Sequence, residues 1–93
     1  MANEILIVDD NSDIRQLIAG ILGDKGFEVR EAANFNQALL EIKKKLPDLA
    51  VIDVKLDKGD NDGIELLTSI KKIDKDVPVI MISGHANVQM AVD

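Results

Sequence analysis

The run Leu49-Ala50-Val51-Ile52-Asp53 constrains this chain more than any other stretch. Four consecutive apolar residues, two of them β-branched, predict a short strand buried on both faces, a pattern that belongs to parallel sheets. Asp53 then interrupts the run. A carboxylate at that point is costly unless it is solvated, paired or bound to a metal. In an open α/β sheet the carboxyl ends of the strands form the crevice where ligands bind. Asp53 therefore reads as a working residue rather than a strand terminator.

The neighbouring segments repeat the arrangement. Glu4 to Val8 is a second apolar run that ends in acids, Asp9-Asp10. Asn11 and Ser12 are good helix N-caps, and Ile14, Leu17, Ile18, Ile21 and Leu22 follow at helical spacing. Gly23 and Gly26 stop that helix. Phe27 to Ala32 alternates apolar and polar residues, as a half-buried edge strand does. Asn34 can cap a second helix with Ala38, Leu39, Ile42 and Leu46 as its inner stripe. Lys43, Lys44 and Lys45 form a solvated end that suits the helix dipole, and Pro47 stops continuation. Beyond the central strand lie a polar loop from Asp57 to Gly63, a third helix carrying Ile64, Leu66, Leu67, Ile70 and Ile73, and a fourth strand from Val77 to Ile82. That strand ends in Ser83-Gly84-His85, and Asn87 begins a further helix. The succession β-α-β-α-β-α-β-α predicts a doubly wound α/β domain with a parallel sheet and right-handed crossovers.

Composition narrows the function classes. The chain has 93 residues and a net charge of −6, which argues against direct contact with nucleic acid. It contains no cysteine, so disulfides, thiol catalysis and thiolate metal sites are excluded. No apolar run reaches the ~18–20 residues of a membrane span, and the N-terminus lacks a basic-then-apolar leader. A single cytoplasmic domain, 1–93, with no membrane contact is expected.

Three strands thus end in chemically loaded residues: Asp9-Asp10, Asp53 and Ser83. Adjacent strands lie ~4.8 Å apart, so carboxylates at neighbouring strand ends repel by about 1–4 kcal/mol per pair at ~4 Å. A divalent cation removes the conflict. Hard oxygen ligands, one histidine and no cysteine point to Mg²⁺, with Mn²⁺ as a substitute. Such a site can neutralise an incoming phosphoryl group and leave a carboxylate as nucleophile.

In these residues the chain resembles the receiver domain of two-component response regulators, the flavodoxin-like, CheY-like family. The resemblance rests on Asp9-Asp10 after the first strand, Asp53 after the third, Asp62-Gly63-Ile64-Glu65-Leu66-Leu67 entering a helix, and Ser83-Gly84 after the fourth. It implies strand order 2-1-3-4-5. It also implies that Asp53 accepts phosphate from a sensor histidine kinase, and that Asp10 binds Mg²⁺ directly and Asp9 mostly through water. The Lys55 backbone carbonyl is implied as a further ligand and the Ser83 hydroxyl as the group that senses the phosphate. On this reading the domain accepts a phosphoryl group and is not an enzyme in the ordinary sense. The family's fifth strand, with its lysine, has no counterpart here, so an incomplete receiver is expected. Its fourth strand would then be an open edge through which two chains could pair. The segment from Pro78 to His85 and the wide loop before Asp62 resemble receivers of the nitrogen-assimilation kind, which precede a sigma-54 activator ATPase and a DNA-binding output domain.

Rival readings have specific weaknesses. Placing Gly63 at position 6 of a calcium loop puts Lys58 at position 1 and Ser69 at position 12, both wrong as ligands. Ser83-Gly84-His85 offers no nucleophile elbow. An aspartate-nucleophile phosphatase of the haloacid-dehalogenase type would carry Asp-x-Asp after the first strand, where this chain has Asp9-Asp10-Asn11. A pseudo-receiver, an interaction module that is never phosphorylated, conflicts with the intact acidic set.

Overall fold

In a computed structural model, the structure describes residues 3–53 and 62–82. The elements are β1 (Glu4–Val8), α1 (Ser12–Asp24), β2 (Glu28–Ala32), α2 (Phe35–Lys44), β3 (Leu49–Asp53), α3 (Asp62–Ile73) and β4 (Val79–Ile82). All strand pairings are parallel, and the sheet order is β2-β1-β3-β4, the doubly wound, flavodoxin-like order that the resemblance implies, without its fifth strand. Lys55, Ser83, His85, the loop 57–61 and the helix expected from Asn87 lie outside the described residues.

Side-chain alternation divides the core between the two faces of the sheet. Leu6, Val8, Ala50 and Ile52 meet Ala38 and Ile42 of α2 and Leu66 and Ile70 of α3 on one face. Ile5, Ile7 and Val51 meet Ile18, Ala19 and Leu22 of α1 on the other. Each fully buried Leu or Ile contributes about 1.5–3 kcal/mol of transfer free energy. The edge strand β2 is half-buried, as its alternation implies.

Local chemistry sets the helix ends. Asn11 caps α1, its side chain accepting from the Asp13 and Ile14 amides at 2.9 and 3.2 Å. Gly26, at φ 96°, turns the chain from α1 toward β2 in a conformation that glycine adopts without penalty. Asn34 accepts from the Gln37 amide at 2.8 Å while the Gln37 side chain accepts from the Ala33 amide at 2.9 Å, a reciprocal cap for α2.

Two expectations need correction. The inward row of α1 is not the whole apolar stripe: Leu17 is 61 % and Ile21 50 % exposed, and Ile18, Ala19 and Leu22 face the sheet instead. Arg15, one turn before Ile18 and Ala19, falls in the same row and donates to the Asp9 carbonyl. The fourth strand starts at Val79 rather than Val77, since Pro78 has no N–H to give the ladder. Its carbonyl does accept from the Ala50 amide. The lysines at the end of α2 are exposed, as expected, and Lys45 pairs with Glu4 and Lys44 with Glu41.

Candidate metal centre

β1 leaves its partners in opposite directions, with β2 on one side and β3 on the other. The crevice at the carboxyl ends of β1 and β3 is therefore the switch point of the sheet, where this architecture binds ligands. The register pairs Val8 with Ile52. Continuing it by one residue sets Asp9 beside Asp53, both on the α1 side of the sheet.

Asp9 and Asp53 are each 1 % exposed, and they are the buried charged residues of the described core. Asp10, at the start of the turn into α1, is exposed. One carboxylate oxygen from each of Asp9, Asp10 and Asp53 lies within 4.8 Å of the other two. The carboxylates that the sequence predicts at one site are thus together. Lys55 and Ser83 fall outside the described residues, so their expected roles are not placed.

Asp9 is held at almost every polar atom. Its amide donates to the Ala32 carbonyl at 3.1 Å, extending the β1–β2 ladder. Its carbonyl accepts from Arg15 Nη1 at 2.7 Å, and its Oδ1 accepts from the Asn11 amide at 2.9 Å. Its Oδ2 is buried with no donor among the described residues. No ion pair with a described basic residue reaches Asp9 or Asp10. Burial raises the Asp9 pKa above the usual 3.8; the Asn11 amide opposes this, and the charges of Asp53 and Asp10 add to the rise. A buried acidic oxygen without a donor, beside two further carboxylates, matches what a hard divalent cation takes as ligands. Asp9, Asp10 and Asp53 fit such an ion.

Arg15 is the site residue missing from the sequence reading. Its signal was available: Arg15, Ile18, Ala19 and Leu22 form an i, i+3, i+4, i+7 row. A charge in that row becomes conspicuous only once the row is known to face the sheet.

The doubly wound sheet and the acidic cluster at its switch point define a class of α/β domain with carboxylates at its strand ends that could hold a metal ion. The chain belongs to the response regulator receiver domain family, whose sequence model matches residues 5–93. It is therefore a receiver domain of the two-component type. It is similar to the nitrogen assimilation regulatory protein NtrX of Azorhizobium caulinodans, 49 % identical over 92 residues that make up 99 % of this chain and 20 % of that protein. It is also similar to the chemotaxis protein CheY of Bacillus subtilis, 42 % identical over 94 residues, covering 100 % of this chain and 77 % of that one. The crystal structure of NtrX from Brucella abortus in complex with ADP matches with a TM-score of 0.87 and 48 % identity, over 99 % of this chain and 21 % of that one. The chain thus spans about a fifth of the length of these NtrX proteins. No helix among the described residues is long and apolar enough to cross a membrane.

Proposed function

We propose that this receiver domain accepts a phosphoryl group on Asp53 in a Mg²⁺-dependent reaction and passes the change to an output domain. One observation carries the reading: three carboxylates converge within 4.8 Å, two of them buried, with Asp9 Oδ2 lacking a donor among the described residues. Two carboxylates buried at adjacent strand ends, with a third beside them, are costly in an apolar setting unless a cation or other partner joins them. Asp9 and Asp10 would hold Mg²⁺ together with Asp53, and Mn²⁺ would substitute. When bound, the ion supplies positive charge that offsets repulsion between carboxylates and an incoming phosphoryl group.

The residues supply the rest. Asp53, fixed at the end of β3, presents a carboxylate oxygen as nucleophile. That oxygen forms a bond to phosphorus as the bond from phosphorus to the donor breaks, and the donor leaves with the electron pair. The phosphohistidine of a sensor kinase is the donor class that the family implies. Burial of Asp53 limits the water available to hydrolyse the product. The Ser83 hydroxyl and the Lys55 carbonyl complete the proposed site as phosphate sensor and metal ligand. The domain is an acceptor of phosphate rather than an enzyme with turnover. The resemblance to nitrogen assimilation regulatory proteins supports a transcriptional output domain in the longer protein and a cytoplasmic setting.

Incubating the intact protein with acetyl phosphate, with and without Mg²⁺, tests this reading. Incorporation of one phosphoryl group that depends on Mg²⁺ is the expected result. No incorporation under either condition would indicate a pseudo-receiver, and steady phosphate release without stable label a phosphatase.

A further inference from the structure

The row of α1 that faces the sheet begins with a charged residue. Ile18, Ala19 and Leu22 pack on Ile5, Ile7 and Val51, and Arg15 occupies the next inward position toward the acidic crevice. Its side chain is only 15 % exposed. An apolar residue there would have extended the core, so packing does not explain the arginine.

Its contacts suggest another reason. Arg15 Nη1 donates to the Asp9 carbonyl at 2.7 Å, and Nε donates to Glu31 Oε1, on β2, at 3.0 Å. The guanidinium is a rigid planar fork, so holding two acceptors at once fixes its direction. Glu31 thereby aims Arg15, and Arg15 grips Asp9. The carbonyl it grips belongs to the planar Asp9–Asp10 peptide. Fixing that carbonyl fixes the plane, and with it the direction in which the Asp10 Cα leaves. This matters because, among the described residues, none makes a hydrogen bond to the Asp10 carboxylate, so there the backbone sets its direction.

We infer that Arg15 is a positioning residue of the acidic cluster: together with Glu31 it sets the Asp9–Asp10 peptide so that both carboxylates converge with Asp53 on one cation. The inference rests on the metal-binding part of the proposed function. Arg15 contacts no carboxylate of the cluster and takes no part in bond-making. Residues that orient ligands without touching the metal typically change its affinity by about 10–100-fold.

The test is a Mn²⁺ titration of the intact protein followed by electron paramagnetic resonance, with Mg²⁺ as competitor. It compares wild type with Arg15→Gln, Arg15→Lys and Glu31→Gln, and urea unfolding in EDTA is measured in parallel. Arg15→Gln is expected to weaken Mg²⁺ binding about tenfold. Arg15→Lys should recover part of the affinity, and Glu31→Gln should lose less than Arg15→Gln. A purely structural link between α1 and β2 would lower stability in EDTA and leave the affinity within about twofold of wild type, and that result overturns the inference. Should Arg15→Gln not fold, Arg15→Lys and Glu31→Gln decide: weakened binding in either supports the inference, and wild-type binding in both overturns it. Wild type that binds Mg²⁺, with variants that bind it equally well, defeats this inference alone. Wild type that binds no Mg²⁺ defeats the metal reading and this inference with it.

Discussion

Replacing Asp9 by asparagine should stabilise the metal-free protein. The carboxylate oxygens lie within 4.8 Å of one another, and at that outer distance two carboxylates repel by about 0.9 kcal/mol at a water-like dielectric and about 3.5 kcal/mol at an effective value of ~20. The buried Asp9–Asp53 pair lies toward the upper figure, and the exposed Asp10 toward the lower. Asparagine keeps an oxygen for the Asn11 amide, which Asp9 Oδ1 now accepts at 2.9 Å. Its Nδ2 can donate to Asp53 in place of an oxygen that has no donor. A gain of about 1–3 kcal/mol at pH 7 in EDTA is expected. The pH dependence has a definite sign. The folded-state pKa of Asp9 lies above its usual 3.8, so the folded protein takes up this proton before the unfolded chain does. The wild-type penalty is therefore complete above the raised pKa and fades as pH falls through it toward 3.8. The advantage of Asp9→Asn should fade with it. Saturating Mg²⁺ should also shrink or reverse the advantage, because binding to the folded wild type adds stability by mass action. Urea unfolding at neutral and acidic pH, in EDTA and in Mg²⁺, measures all of this. A variant less stable than wild type in EDTA, or an advantage independent of pH, would refute the electrostatic reasoning.

Other substitutions separate the scaffold from the site. Arg30 donates to the Glu41 and Lys45 carbonyls at the end of α2, at 3.0 and 2.8 Å. Arg30→Ala should cost about 2–3 kcal/mol in urea unfolding and leave Mg²⁺ affinity unchanged, since this cluster lies at the opposite end of the strands. Leu66→Ala, at a fully buried position of α3, should cost about 2–5 kcal/mol by the same measurement. Leu17→Lys should change stability by no more than about 0.5 kcal/mol, because Leu17 is largely exposed. A larger loss would mean that this side of α1 is covered in solution.

The central strands were legible because strands buried on both faces need apolar runs, as in Glu4–Val8 and Leu49–Asp53, and β2 was legible from its alternation, while the strand order followed from the resemblance. The convergence of Asp9 and Asp53 was legible for the same reason, since adjacent parallel strands carry their ends to one place. The face of α1 was not. Helical periodicity marks an apolar stripe that includes Leu17 and Ile21, and the residues that pack on the sheet are Ile18, Ala19 and Leu22, in a row with Arg15, which donates to the Asp9 carbonyl. Ile64 and Ile73 fail similarly: they sit near the ends of α3, each 48 % exposed, while Leu66 and Ile70 fill the core. Spacing identifies which residues could be buried; a tertiary contact decides which are.

Mapping the phosphoryl group by peptide mass spectrometry tests the central claim most directly. After acetyl phosphate treatment in Mg²⁺, the label should lie on the peptide containing Asp53, and it should be absent in EDTA and in Asp53→Asn. Undiminished label in Asp53→Asn, or label in EDTA equal to that in Mg²⁺, would contradict the account.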